Sequence, residues 1–204
     1  MPKTVKQRIV SRIYSHGRGW AFTPKDFLND FNRWEISNSL EDLEHESIIR
    51  RIIRGLYDYP PYSEILKKQT APDISKVADA LARKFNWRIQ PSGETALNIL
   101  GLSNQIQSQY IYLSDGPSKK YDILGQELTF KHTKLKEASI KDIPTILVVQ
   151  AIKAVGKDNI TQEFLNNLKS KYTEKEWFII KKNSTKTVLW VLDFINKIVE
   201  DSLC

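Results

Sequence analysis

The chain has 204 residues, and 31 Lys+Arg against 24 Asp+Glu leave it at +7 with a pI near 9.3. A hydrophobic fraction of 41% with 10% aromatic residues excludes disorder as a global description. The length suffices for one large domain or two small ones without a metal or disulfide staple. The single cysteine, Cys204, cannot form an internal disulfide, and the stretch from Met1 to Ile13 is broken up by Lys3, Lys6, Arg8 and Arg12. No apolar run resembles a signal peptide, and stretches such as Ile146 to Val149 are too short to span a bilayer. A soluble cytoplasmic protein without membrane contact is the expectation.

Seven of the nine arginines lie between Arg8 and Arg54. Guanidinium forks suit phosphates and guanine edges, so the asymmetry points to an N-terminal module that faces nucleic acid. Val5, Ile9 and Ile13 recur every four residues and predict a first helix ending at His16 to Gly19. Thr23-Pro24-Lys25-Asp26 carries a capping hydroxyl, a proline at the first helical position and a carboxylate three residues after the cap, which predicts a short helix to about Phe31. Asn32 to Glu35 repeats that logic for a third helix with a buried stripe of Ile36, Leu40 and Leu43. The β-branched and aromatic run from Ile48 to Pro60, interrupted by Arg54-Gly55, predicts a two-stranded hairpin.

Three short helices and a basic hairpin read as a winged helix-turn-helix over residues 1–62. In such a module the third helix enters the major groove and the wing follows the backbone. Arg33, Trp34, Ser37 and Asn38 then fall in or just after the first turn of that helix, with Arg50, Arg51 and Arg54 on the wing; Arg18 and Lys25 complete the candidate DNA-binding set. Glu41, Asp42, Glu44 and Glu46 make the later half of the helix acidic, so contact is expected through the first turn and wing, with the later half turned away.

A proline-containing link, Tyr59 to Pro72, precedes an α+β domain expected over residues 73–204. It comprises a helix from Asp73 to Asn86, a strand at Trp87 to Gln90, a helix capped by Ser92 and closed by Gly101, and a strand at Tyr110 to Ser114. A hairpin around Gly125 completes an antiparallel sheet. The helical tail is predicted at Ile143 to Val155, Asn159 to Tyr172, Glu174 to Lys182 from a Thr173/Glu176 capping box, and Lys186 to Asp201.

Catalytic constellations are sparse. No two glycines are spaced as in a P-loop, and His16, His45 and His132 with one cysteine lack the spacing of a zinc site. No Asp or Glu has lysine two positions later, which weighs against a metal-dependent nuclease. Gln90 to Thr95 reads as helix capping, and Ser114 to Ser118 as turn chemistry. No catalytic residue, cofactor or metal is expected. Two alternatives to DNA binding stay open: a protein-interaction module whose winged helix only dimerises, and a nucleic-acid-processing enzyme using Glu94, Asp115 and His132.

Gly17 to Thr23 with Asp26-Phe27, and Ile49-Arg50-Arg51 to Pro60, resemble the N-terminal winged helix of AbiEi-like antitoxins. Trp87 to Asn98, Tyr110 to Ser118, Phe130 to Thr133 and Gln150 to Ala154 resemble the second domain of that family branch. The likeness covers about Gly17 to Lys157. It implies a transcriptional regulator that binds an inverted repeat in its own promoter, which leaves room for a homodimer. It also implies a role as antitoxin to a nucleotidyltransferase toxin in a bacterial toxin-antitoxin or abortive-infection pair. It transfers no catalytic residue.

Overall fold

The computed structural model describes residues 4–103, 109–133, 140 and 142–200. The chain is α+β, with helices and small antiparallel sheets. It divides into two compact units: residues 1–87 with 121–128, and 88–120 with 129–204.

The first unit begins with helix α1 (Val5–His16), whose N-cap Thr4 and Gln7 form a reciprocal capping box. Strand β1 (Ala21–Phe22) follows. The expected second helix is a single 3-10 turn, Pro24–Phe27, followed by a turn in which the Asp30 and Phe31 N–H groups both reach the Phe27 carbonyl, with Asn29 and Asp30 poor residues for extending a helix. The Asp26 carboxylate accepts from the Thr23 N–H at 2.8 Å and from its hydroxyl. Helix α2 (Arg33–His45) starts from the Asn32/Glu35 capping box and buries Ile36, Ser39, Leu40 and Leu43. Strands β2 (Arg50–Ile53) and β3 (Leu56–Asp58) form the hairpin, which β1 joins to give the order β1-β3-β2. Gly55, at φ 71°, supplies the left-handed residue of its turn.

The core of this region joins Ile9 and Ile13 of α1 to Phe22, Phe27, Ile36, Leu40 and Leu43. Aromatic edges and faces order it: Phe22 meets Phe27 edge-on at 5.6 Å and stacks on Trp20 at 4.7 Å. The link expected to be irregular contains a small hairpin, β4 (Tyr62–Ser63) with β5 (Lys68–Gln69). The Ser63 hydroxyl accepts from the Leu66 N–H, and Lys67 takes the left-handed turn position at φ 47°. Helix α3 (Ile74–Phe85), capped by Asp73, closes the unit. Arg83 ties α3 to the N-terminal elements, donating to Asp26 and to the Ala21 carbonyl, both at 2.9 Å.

The second unit carries β6 (Ile89–Pro91), α4 (Gly93–Ile99) and β7 (Gln109–Ser114). Strands β8 (Lys119–Ile123) and β9 (Gln126–His132) pair as a hairpin whose residues 121–128 group with the first unit. Strands β6 and β7 are antiparallel, with Gln90 opposite Leu113. Helices α5 (Ile143–Val155), α6 (Gln162–Lys169), α7 (Glu174–Asn183) and α8 (Leu189–Glu200) follow.

Helix α5 has the expected bounds, whereas α6 is shorter than expected because Thr161 caps it and a 3-10 turn precedes it. Helix α8 starts three residues late, after the 3-10 turn Ser184–Lys186 and an extended Thr187. Asp201, its expected end, and Cys204 lie outside the described residues. Val148, Ile152, Leu168, Trp177, Ile180 and Ile195 form the centre of the core, and the Trp177 indole N–H donates to the Lys169 carbonyl at 2.9 Å. Among the described residues no helix is long and apolar enough to cross a membrane.

Candidate nucleic-acid interface

The N-cap at Asn32 fixes where α2 begins and so which residues occupy its first turns. With Ile36, Leu40 and Leu43 committed to the core, Arg33, Trp34, Ser37 and Asn38 project outward and are exposed. Trp34 stands out at 73% exposure, unusual for an indole. Among the described residues none of these four side chains has a hydrogen bond or ion pair. The sequence-derived first-turn set is therefore brought together on one helix face.

The basic hairpin is less uniform. Arg50 lies directly opposite Asp58 in the β2-β3 register. Its guanidinium donates to both carboxylate oxygens, at 2.6 and 3.1 Å, and to the Thr70 carbonyl at 2.9 Å. Asp58 is fully buried. Burial pushes its carboxyl above the usual aspartate range, outweighing the downward pull of the Arg50 hydrogen bonds and charge. Arg51 and Arg54 on the same hairpin are exposed, and neither has an ion pair among the described residues.

The other cations of the region are also held internally. Arg18 donates to the Pro60 carbonyl at 3.0 Å and lies over the Tyr59 ring at 4.7 Å. Lys25 satisfies the C-terminal carbonyls of α3, donating to Arg83 and Lys84. Arg12 pairs with Asp30 at 2.6 Å, and Arg8 covers the Phe31 ring. Of the N-terminal arginine cluster, Arg33, Arg51 and Arg54 are exposed without a hydrogen bond, ion pair or ring contact among the described residues.

The acidic second half of α2 divides. Asp42 and Glu46 turn toward α1 and share Lys6, at 3.6 and 2.6 Å, raising the Lys6 ammonium above its ordinary range chiefly through the Glu46 hydrogen bond. Glu41 and Glu44 instead line a groove of about 400 Å³ between α2 and the hairpin, with Ser37, His45, Arg51 and Tyr57. Burial raises the Tyr57 phenol; Arg51 pulls it down and the two glutamates push it further up. Exposed Arg51 and the two carboxylates thus share one concave surface, a placement that helix periodicity alone did not reveal.

Other candidate positions have local roles. Ser92 caps α4, and the Thr95 hydroxyl accepts from the Ile111 N–H at 2.9 Å. Asp115 holds Arg88 through its side chain and backbone N–H, both at 2.8 Å, and these contacts lower its carboxyl below the ordinary range. His132 pairs through Nδ1 with the Gly116 carbonyl at 2.9 Å. Glu94 sits in the first turn of α4. No group of three or more metal-ligating side chains occurs among the described residues.

These features define an α+β protein of two units, the first presenting an outward helix face beside an arginine-bearing hairpin. The chain belongs to a family of unknown function, DUF6088, whose model matches residues 8–177. No curated protein matches it in sequence.

Proposed function

We propose that the first unit is a winged helix-turn-helix that binds double-stranded DNA, with α2 as the recognition helix and the β2-β3 hairpin as the wing. The observation that carries this reading is the juxtaposition of four exposed, unpaired side chains at the start of α2 with exposed Arg51 and Arg54 on the neighbouring hairpin. The strand order β1-β3-β2, with β1 between α1 and the short 3-10 turn, is the arrangement such a module needs. Ser37 and Asn38 are of the types that read base edges, Arg33 reaches either bases or phosphates, and Arg51 and Arg54 neutralise phosphates. Arg18, Lys25 and Arg50 support the scaffold in this scheme, because their donors already have intramolecular acceptors. The resemblance to AbiEi-like antitoxins extends the proposal to an autoregulating antitoxin whose partner is a nucleotidyltransferase toxin.

Fluorescence anisotropy with duplex DNA from upstream of its own gene tests the reading. Neutralising about three or four phosphates gives a log-log salt slope near −3, from roughly 0.9 per phosphate. Salt-independent binding, or none at low salt, would refute it. The second reading, a protein-interaction module, draws on Glu41 and Glu44 in the groove beside Ser37, where they oppose a polyanion. It requires no retardation of the same duplex at moderate salt.

A further inference from the structure

Helix α7 is apolar on two opposite faces. Trp177 and Ile180 point into the core of the second unit and are 1% and 0% exposed, whereas Phe178 and Ile179 are 66% and 48% exposed. At 100° per residue, Lys175, Phe178, Ile179 and Lys182 share one outward stripe about 100° wide, since they stand at i, i+3, i+4 and i+7. The stripe is therefore an apolar pair with one lysine a turn above it and another a turn below, about 10.5 Å apart along the axis from seven residues at 1.5 Å each. Both lysines are exposed, and neither has an ion pair among the described residues. Glu176, one candidate to neutralise them, is committed to the capping box, accepting from the Thr173 N–H and hydroxyl at 2.8 Å.

Capping and core packing account for Thr173, Glu176, Trp177 and Ile180 but, among the described residues, leave this outer face without an intramolecular role. An exposed phenylalanine beside an exposed isoleucine, bracketed along the stripe by two lysines with Glu174 at its edge, is the composition of a contact patch rather than of a solvated helix face. We propose that the outward face of α7 docks an acidic amphipathic helix of a partner protein. The partner's apolar residues cover Phe178 and Ile179, and carboxylates seven residues apart on its helix reach Lys175 and Lys182. Charge complementarity selects this occupant. A second copy of the chain would bring the same lysines against each other. A nucleic acid strand would gain nothing from the aliphatic Ile179, and residues 142–200 contain no arginine for phosphate forks. The inference is independent of DNA binding by the first unit.

The test uses the full chain and fluorescein-labelled helical peptides followed by anisotropy. One peptide carries two glutamates seven residues apart bracketing a central leucine pair; its control has lysines in their place. The glutamate peptide is expected to bind at least about tenfold more tightly than the control, and Phe178→Asp should abolish that binding by about tenfold or more. Lys175→Glu with Lys182→Glu should reverse the preference, so that the lysine peptide binds better. Circular dichroism checks that the variants keep the fold, as substitutions at exposed positions should. Equal binding of both peptides, a preference insensitive to these substitutions, or stronger binding of single-stranded RNA through the same residues overturns the proposal. So does self-association in sedimentation that Phe178→Asp removes.

Discussion

The two units differ in where cations stand free of intramolecular partners. In the first, Lys6, Arg8, Arg12, Arg18, Lys25, Arg50 and Arg83 each meet a carboxylate, carbonyl or ring within the same unit. In the second, Arg88 pairs with Asp115 and Lys197 donates to Gln162, whereas Lys175 and Lys182 stay in solvent around an exposed apolar pair. A raw charge count therefore overstates the cations left free for a partner where arginines are dense. The fork contributes at Arg50, where one guanidinium satisfies both Asp58 oxygens and the Thr70 carbonyl at once; Lys6 and Lys25 show that an ammonium is also drawn in where fixed acceptors stand within reach.

Adjacent arginines offer the sharpest way to break that contrast. Arg50→Met leaves the buried Asp58 carboxylate without its partner and should cost about 3–5 kcal/mol in urea unfolding. Arg51→Met should stay within about 0.5 kcal/mol. Adding Asp58→Asn to Arg50→Met should recover much of the loss, because it removes the orphaned charge. Similar losses from the two single variants would show that Arg50 is as dispensable to the fold as its neighbour.

The second unit has its own packing constraint. A Cβ at Gly93 would stand 2.5 Å from the Ala154 Cβ and 3.1 Å from the Gln150 carbonyl oxygen, so α4 and α5 approach closely there. Gly93→Ala should destabilise by about 1–3 kcal/mol through overpacking. Pairing it with Ala154→Gly should relieve the methyl contact but not the carbonyl one. An unchanged midpoint for Gly93→Ala would show that the helices can part at no cost.

Much of the local structure was legible in advance, because it depends on neighbours in sequence. The capping logic at Asn32/Glu35 and Thr173/Glu176, the stripe of α2, the Arg54-Gly55 turn and the bounds of α5 follow from side chains within four residues of one another. The roles of Arg50 and Arg51 were not legible. Continuing the Ile53–Leu56 pair without interruption would set Arg51 opposite Asp58. The irregularity between Arg51 and Ile53 shifts the register by one, placing Arg50 on Asp58 and Arg51 on Tyr57. One extra residue in a strand thus decides which arginine belongs to the scaffold and which faces outward. Lys25 and Arg83 were illegible for a related reason: their partners lie more than fifty residues away.

Within the proposed interface, base reading and phosphate neutralisation separate by what each variant changes. Asn38→Ala should relax discrimination between operator and mismatched duplex by about 1–3 kcal/mol, measured as a ratio of dissociation constants. Arg51→Ala should weaken all duplexes evenly and make the salt slope shallower by about one. Uniform weakening by Asn38→Ala would remove it from the base-reading set, and an unaltered slope for Arg51→Ala would take the wing off the backbone.

The subtlest contrast is in acid. Burial raises the carboxyls of Asp58 and Asp79 in the first unit, in each case against the pull of an arginine. In the second, the Arg88 hydrogen bond lowers Asp115, and Thr173 lowers Glu176. A raised carboxyl binds its proton more readily in the folded state, so its contribution to stability is fully present below the unfolded value and is lost as pH rises through the folded one. A lowered carboxyl behaves oppositely, its contribution being present above the unfolded value and lost as pH falls through the folded one. Acidification from neutral pH should therefore favour the first unit relative to the second by these groups. Amide exchange, corrected for intrinsic rates, should show protection in β3 rising relative to that in α7 as pH falls toward about 4, the ordinary carboxylate range, and protection in α7 falling once pH drops below it. If α7 keeps its relative protection, the exposed partners of Asp115 and Glu176 contribute too little, once screened by solvent, to set the order in which the units open.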